Sequence, residues 1–370
     1  MKILVLNWQD INNPFAGGAE VQLHEIFKRI VAKGHAVTLY CCHYRGALKE
    51  EVIDGIRVIR SGSRNLFNFT VAPRYRKQFR HEGYDIVVDD INKIPFYTPQ
   101  FIQEPLVGIV HHLFGQSIFL ETSLPAALYV ALAERRATKV YRTTPIAVVS
   151  ESTKQELIGY GFSADNLFIV QNCVDHTLYH PIPGSEKDNF LLGSLGRIKK
   201  YKSIDHLLKA FKIVLGEVPQ AKLMIIGDGD ARQELERLTK DLKIERAVQF
   251  TGHVAAQEKV RLLNRMDVIV NCSVKEGWGL TVIEANACGV PVIASDVPGL
   301  RDSVIDEKTG FLYEYGNIEQ LAEKILLVLR DEHLRNRLSE QSLQWAHSFN
   351  WEDSTQKMLD VMEQVIKEKR

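Results

Sequence analysis

Apolar residues recur along this chain in two alternating rhythms. Short runs rich in β-branched residues predict buried strands at Ile3 to Leu6, Val37 to Cys41, Ile56 to Ile59, Ile86 to Val88, Leu106 to Val110 and Ile146 to Val149. Between such runs the period changes: Leu23, Ile26, Phe27 and Ile30 keep the i, i+3, i+4, i+7 spacing of a helix with one buried stripe. A second series of strands is predicted at Leu191 to Leu195, Leu223 to Ile226, Val248 to Thr251, Val268 to Cys272 and Val292 to Ala294. Strand and helix alternating from end to end imply parallel sheets covered by helices. The proline-containing stretch Tyr179 to Lys187 separates the two series and reads as a linker. A final helix, capped near Asn350 and striped by Met358, Val361, Met362 and Val365, follows a complete second sheet and can cross back onto the first. The expectation is one domain over residues 1–178, with 352–370 packing back onto it, and another over 185–350.

Length supports that division, because 370 residues exceed the roughly 250 to 300 at which a single core stops growing. Charge adds an exclusion: Lys+Arg and Asp+Glu both number 46, so nothing draws the whole chain to nucleic acid. Five cysteines, Cys41, Cys42, Cys173, Cys272 and Cys288, form no Cys-x-x-Cys pair, which argues against a disulfide framework or a zinc site and for a reducing cytoplasm. The N-terminal MKILVLNW enters a strand without a signal-peptide pattern, and the longest apolar run, Leu124 to Ala133, is far short of the roughly 20 residues of a spanning helix.

The densest candidate chemistry lies in KEGWGLTVIEANACGVPVIAS, Lys275 to Ser295. Leu280 to Ala287 can form about two turns of helix between the strands at 268 and 292, with Gly289 and Pro291 as stop signals. Glu276 then lies in the glycine loop ahead of the helix and Glu284 inside it, so both can face the crevice at the carboxyl edge of a parallel sheet. The amides of Gly277, Trp278, Gly279 and Leu280 would stand at a helix N-terminus, which favours an anion such as phosphate. A site that receives an anion and still carries two carboxylates suits hydroxyls as well as phosphates, and sugar nucleotides have both.

Three further segments belong beside it. Arg197 and Lys202, in the loop leaving the strand at 191, could hold a diphosphate, or could be solvated loop cations. The loop Asn12 to Glu20 (NNPFAGGAE) lacks the G-x-G-x-x-G fingerprint of dinucleotide binding; its glycines either admit a ligand close to the backbone or form a flexible turn with a helix cap. His111 and His112 end a strand, where one of them could donate to a sugar hydroxyl, and alternation alone does not choose between them. The acidic pairs Asp89-Asp90 and Asp228/Asp230 resemble metal-binding groups but read more simply as turn and helix-cap acids.

With these residues in view, the segment E-G-W-G-L-x-x-x-E-A-x-A-x-G-x-P-V from Glu276 to Val292 resembles the Glu-x7-Glu signature of the family 4 glycosyltransferases. So do Gly17 to Glu20, Gly34-His35, Gly196-Arg197 with Lys202, and Gly252-His253-Val254, in this order over nearly the whole length. The resemblance implies an α/β, GT-B fold: two Rossmann-like domains whose parallel sheets face across a cleft, the C-terminal helix crossing back to the first. It also implies a retaining hexosyltransferase that works without a bound metal or other cofactor. Carried over position by position, Arg197 and Lys202 would grip the pyrophosphate and Glu284 the ribose. Glu276 and the amides of Gly277 to Leu280 would bind the donor sugar, with Gly17, Gly18, Gly196 and His111 approaching it and the backbone near Val254 meeting the base. One departure is Ser203, where many relatives have glycine after the lysine.

Ala255 and Ala256 offer no carboxylate to read guanine, which favours a UDP-sugar over a GDP-sugar. A sugar-nucleotide-binding protein without catalysis and a glycoside hydrolase with two carboxylates are the alternatives, a nicotinamide dehydrogenase the remotest. The acceptor, whether glycan, lipid or small molecule, is not legible. Ser61 to His81 holds five Arg or Lys and no acid, interleaved with Phe67, Phe69 and Tyr75. Together with Leu124 to Ala133 it suggests either a peripheral contact with the inner membrane face or, more simply, a solvated basic helix and a core helix.

Overall fold

Two units, each with its own sheet, make up the computed structural model, which describes residues 1–91, 94–185 and 187–369. The first unit takes Met1–Asn172 and the chain from Trp351 onward, and the second takes Cys173–Asn350. The division thus falls at Asn172–Cys173, ahead of the Tyr179 to Lys187 stretch.

The first unit contains β1 (Lys2–Leu6), α1 (Gly18–Ala32), β2 (Ala36–Cys42), β3 (Glu50–Ile53), β4 (Ile56–Ser61), α2 (Phe67–Lys77), β5 (Ile86–Asp90), β6 (Leu106–Val110), α3 (Leu124–Val140), β7 (Ile146–Val148), α4 (Glu151–Gly159) and β8 (Leu167–Ile169). Its eight strands run in the order β3-β4-β2-β1-β5-β6-β7-β8. All neighbours are parallel except the hairpin β3–β4, where Glu51 pairs with Val58. The central strands carry unbroken apolar runs, Ile3 to Leu6 in β1 and Ile86 to Val88 in β5, because both faces are covered. On one side Phe67, Val71 and Tyr75 of α2 pack with Phe79 and Tyr40. Three of the four aromatic rings of the basic stretch, Phe67, Tyr75 and Phe79, are therefore core, and Phe69 alone of the four is exposed.

The second unit contains β9 (Leu191–Leu195), α5 (Ile204–Glu217), β10 (Lys222–Ile226), α6 (Arg232–Asp241), β11 (Val248–Gly252), α7 (Ala256–Arg265), β12 (Val268–Asn271), α8 (Leu280–Ala287), β13 (Val292–Ser295), α9 (Leu300–Ser303), β14 (Gly310–Tyr313), α10 (Ile318–Arg330) and α11 (Glu332–His347). Its six strands are all parallel, in the order β11-β10-β9-β12-β13-β14. Leu207, Leu208, Phe211 and Val214 of α5 and Leu321, Ile325 and Val328 of α10 bury one face of that sheet. After α11 the chain rejoins the first unit as α12 (Trp351–Lys369), whose Met358, Leu359, Val361, Met362 and Val365 are buried and which packs on α1 and β6.

Ser203 explains the sequence departure noted above. It adopts φ 47° and ψ 41°, the left-handed region that glycine enters freely and serine only at a cost. Its hydroxyl is tied to the Tyr315 hydroxyl at 2.9 Å, an interaction a glycine would forgo.

Candidate functional site

Strand order places the chemistry of the second unit. β9 has β10 on one side and β12 on the other, so connections leave it in opposite directions, and the carboxyl ends of β9 and β12 flank a switch point. Successive loops are sutured there by backbone bonds. The Gly196 N–H donates to Ile226 O at 3.0 Å, Ile198 N–H to Asp228 O at 2.9 Å, Gly227 N–H to Gly252 O at 3.0 Å and Val274 N–H to Tyr201 O at 2.9 Å. Approach is so close at Gly227 that a Cβ would stand 1.9 Å from Gly196 O. At Gly299 a Cβ would stand 2.3 Å from Glu276 O, so the loop after β13 braces the backbone that carries this glutamate.

Arg197 leaves this edge exposed to solvent, while Lys202 and Glu276 are mostly enclosed and form an ion pair. Burial acts against the Lys202 ammonium, but Glu276 outweighs it and holds the lysine pKa above its ordinary value. Glu276 also accepts from Ser273 Oγ at 2.8 Å, and Ser273 is itself held through Asn271 Oδ1 at 2.7 Å. The N-terminus of α8 follows directly, with Gly279 at φ 87° as its cap. Trp278 is buried edge-on against Phe349 at 5.1 Å, so what this residue offers the site is its backbone.

Glu284 lies one turn inside α8. Its Oε1 accepts from Tyr179 OH and from Lys259 Nζ, both at 2.8 Å, and the lysine stands 4.9 Å from the centre of the Tyr179 ring. Burial and then Glu284 raise the Tyr179 pKa, so the phenol remains a donor. Neither Lys259 nor Tyr179 is marked in the sequence. The lysine comes from α7, 25 positions before Glu284, and the tyrosine from 105 positions before it. Val254 lies half-buried in the loop between β11 and α7.

The first unit holds a second group at its own switch point, between β1 and β5. Gly17 and Gly18 start α1, and the Gly17 N–H donates to Glu20 Oε2 at 2.7 Å. His111, after β6, sets its Nε2 3.1 Å from Asp90 Oδ1, whereas His112 turns its ring onto Phe114 at 4.5 Å. Burial disfavours the imidazolium of His111, yet Asp90 and Glu20 together outweigh this and raise its pKa. Gly17, Gly18 and His111 thus share one unit, and Gly196, Arg197, Lys202, Val254 and the segment Glu276 to Glu284 share the other.

The reading of Asp89 and Asp90 as turn or cap acids is corrected: both end β5 fully buried. A carboxyl pair at a strand end resembles a turn in sequence, because nothing local reveals that the sheet and Tyr141 close over it. Asp89 accepts from Tyr141 OH at 2.6 Å and from Thr98 Oγ1, while burial pushes its pKa up to about 7. The folded chain therefore keeps a proton here that the unfolded chain has released by about pH 4, so this group makes stability fall as pH rises from about 4 to about 7. Asp89→Asn should remove that decline, gaining on the wild type by roughly 2 to 4 kcal/mol across the window. Urea titrations at both ends of the window measure it, and a variant whose stability tracks the wild type at both would refute the assignment.

Among the described residues no group of three or more His, Cys, Asp or Glu could hold a metal ion, and no helix is long and apolar enough to cross a membrane. All five cysteines are buried and none is in a disulfide.

Comparison with known proteins covers both halves. Residues 16–178 match the family model described as Glycosyltransferase Family 4, and residues 175–345 match Glycosyl transferases group 1. The capsular polysaccharide biosynthesis glycosyltransferase CapM of Staphylococcus aureus is 31% identical over 220 residues, 54% of this chain and 56% of that protein. The chain spans from about a third to just over half of the length of the first curated relatives it matches. Among solved structures, sucrose-phosphate synthase from Thermosynechococcus elongatus superposes with a TM-score of 0.83 at 22% identity, covering 98% of each chain. Anabaena Alr3699/HepE, solved in complex with UDP and glucose, gives 0.79 at 22% identity, covering 98% of this chain and all of its own.

Proposed function

Since the two models together take in nearly the whole sequence, the chain belongs to the family 4 glycosyltransferases and has their GT-B fold, and we propose that it moves a hexosyl group, with retention, from a UDP-sugar to an acceptor. The observation that carries this reading is the pairing along one sheet edge: Glu276 with Lys202 beside Arg197, and Glu284 with Lys259 and Tyr179. A uridine donor is favoured by Ala255 and Ala256 after Val254 and by the UDP bound in the Anabaena relative.

In this reading Arg197, Lys202 and the amides of Gly277 to Leu280 take the diphosphate, and no metal is needed to neutralise it. Glu284 keeps Oε2 for the ribose hydroxyls, because Oε1 already serves two donors. Glu276 accepts from the sugar, to which the family pattern also assigns Gly17, Gly18, Gly196 and His111. The C1–O bond to the leaving phosphate breaks and a C1–O bond to the acceptor forms on the same face. The acceptor's proton passes to the departing phosphate oxygen, so no protein nucleophile takes part. Each glutamate stands beside a lysine, the reverse of the apolar pocket in which a hydrolase's general acid keeps its proton. Buried thiols outside any disulfide favour a cytoplasmic setting. The acceptor is a glycan, a lipid or a small molecule.

Calorimetric titration with UDP-, GDP- and ADP-sugars in the presence of a chelator tests the donor half of the proposal. Uridine-selective binding at about micromolar Kd is expected. Failure of every donor to bind folded protein would end this reading of the site.

A further inference from the structure

Helix α3 is built inside out. An ordinary surface helix buries its leucines and shows small or charged residues, but here Ala127, Val130, Ala133 and Ala137 face inward. Leu124, Leu128 and Leu132, spaced i, i+4, i+8, stand 64%, 49% and 66% exposed, with Tyr129 beside them. Phe119 and Leu120, in the turn before the helix, are exposed as well. Single exposed leucines need no explanation, whereas a continuous row marks a contact surface.

Charge specifies the partner. The outward face continues past Leu132 into Arg135, Arg136 and Lys139, all exposed. The helix's one acid, Glu134, is turned to the inner side, where it accepts the N–H groups of Phe114 and Gly115 at 2.6 and 2.9 Å. The outward face is therefore leucine and tyrosine along one half, cationic along the other, and free of acids. The basic stretch 61–81, by contrast, turns Phe67 and Tyr75 into the core.

We propose that the outward face of α3 seats the protein on the surface of an anionic lipid bilayer, its leucines entering the acyl boundary and Arg135, Arg136 and Lys139 meeting the headgroup charge. With 17 residues and a charged half, the helix lies along the surface and does not cross. The proposal rests on the transfer reading only for its purpose, which is to keep the enzyme beside an acceptor in the membrane.

Sedimentation of the full chain with phosphatidylcholine vesicles, with and without phosphatidylglycerol, tests this without donor or acceptor. Binding is expected to the anionic vesicles only, falling as salt is raised. Both Leu128→Ser/Leu132→Ser and Arg135→Glu/Lys139→Glu should bind at least about tenfold more weakly, with thermal melts and UDP titrations unchanged because all four side chains are exposed. Absence of sedimentation at low salt would overturn the proposal. So would a leucine variant that binds vesicles as the wild type does, or one that merely converts a dimer into a monomer, since the face would then seat a second copy. Donor binding is read separately in the UDP titration, so either idea can fail alone.

Discussion

Lys202→Ala should slow the release of nucleoside diphosphate from the bound donor by about a hundredfold to a thousandfold, the usual effect of removing one group aimed at developing negative charge. Arg197→Ala should do the same to a lesser degree, since Arg197 is exposed and partly screened by solvent whereas Lys202 is mostly enclosed. Enclosure creates an ambiguity, because Lys202 also neutralises Glu276 and, among the described residues, its loss leaves that carboxylate with the Ser273 hydroxyl as its side-chain partner. Breaking a partly buried pair from one side destabilises by about 1 to 3 kcal/mol. The double variant Lys202→Met/Glu276→Gln separates the two effects. Removing both charges should restore most of the stability while leaving the rate low, as read by urea titration and by UDP release with water as acceptor. Recovery of the rate along with the stability would make Lys202 a structural cation only.

Glu284→Ala should weaken UDP binding by about a hundredfold or more, the worth of two hydrogen bonds to a carboxylate. Truncation also strands Lys259 and Tyr179, whose shared acceptor is Glu284 Oε1, so a simple loss of affinity would not identify what the ligand touches. The ligand can be cut instead. UDP lacking both ribose hydroxyls should bind the wild type as weakly as UDP binds the variant, and the variant should not distinguish the two ligands. A variant that still prefers the intact ribose would place the hydroxyls elsewhere.

What could be read from the sequence and what could not divide along a physical line. Helix α8 has the limits expected of it, Leu280–Ala287, because Gly279 and Gly289 punctuate it locally. The core strands were legible from their β-branched runs. β3 was not, since Glu50 to Ile53 is a half-exposed edge strand, and neither were β8, which is three residues long, and β14, whose Gly310 to Tyr313 contains no β-branched residue. Around the site, the loops after β9 and β12 carry their own signals, but the partners that fix the side chains come from afar: Asp90 beside His111, and Lys259 and Tyr179 on Glu284. Pairing of this kind is a product of tertiary packing and has no local period. Helix α3 shows the same limit from another side. Its apolar content is plain in sequence, yet leucine and alanine alternate in a way that does not say which face meets the core.

The return of α12 to the first unit bears on the order in which the protein can be made. Cys173–Asn350 is continuous in sequence, so the second unit has all its parts once Asn350 has left the ribosome. The first unit, although synthesised earlier, waits for Met358, Leu359, Val361, Met362 and Val365 to cover α1 and β6 and for Ser354 Oγ to reach Gln171 O. At the roughly 5 to 20 residues per second of translation, the N-terminal half stays partly uncovered for many seconds. Its apolar flank is the surface that a chaperone would have to shield during that interval, and the half made second is the first able to close.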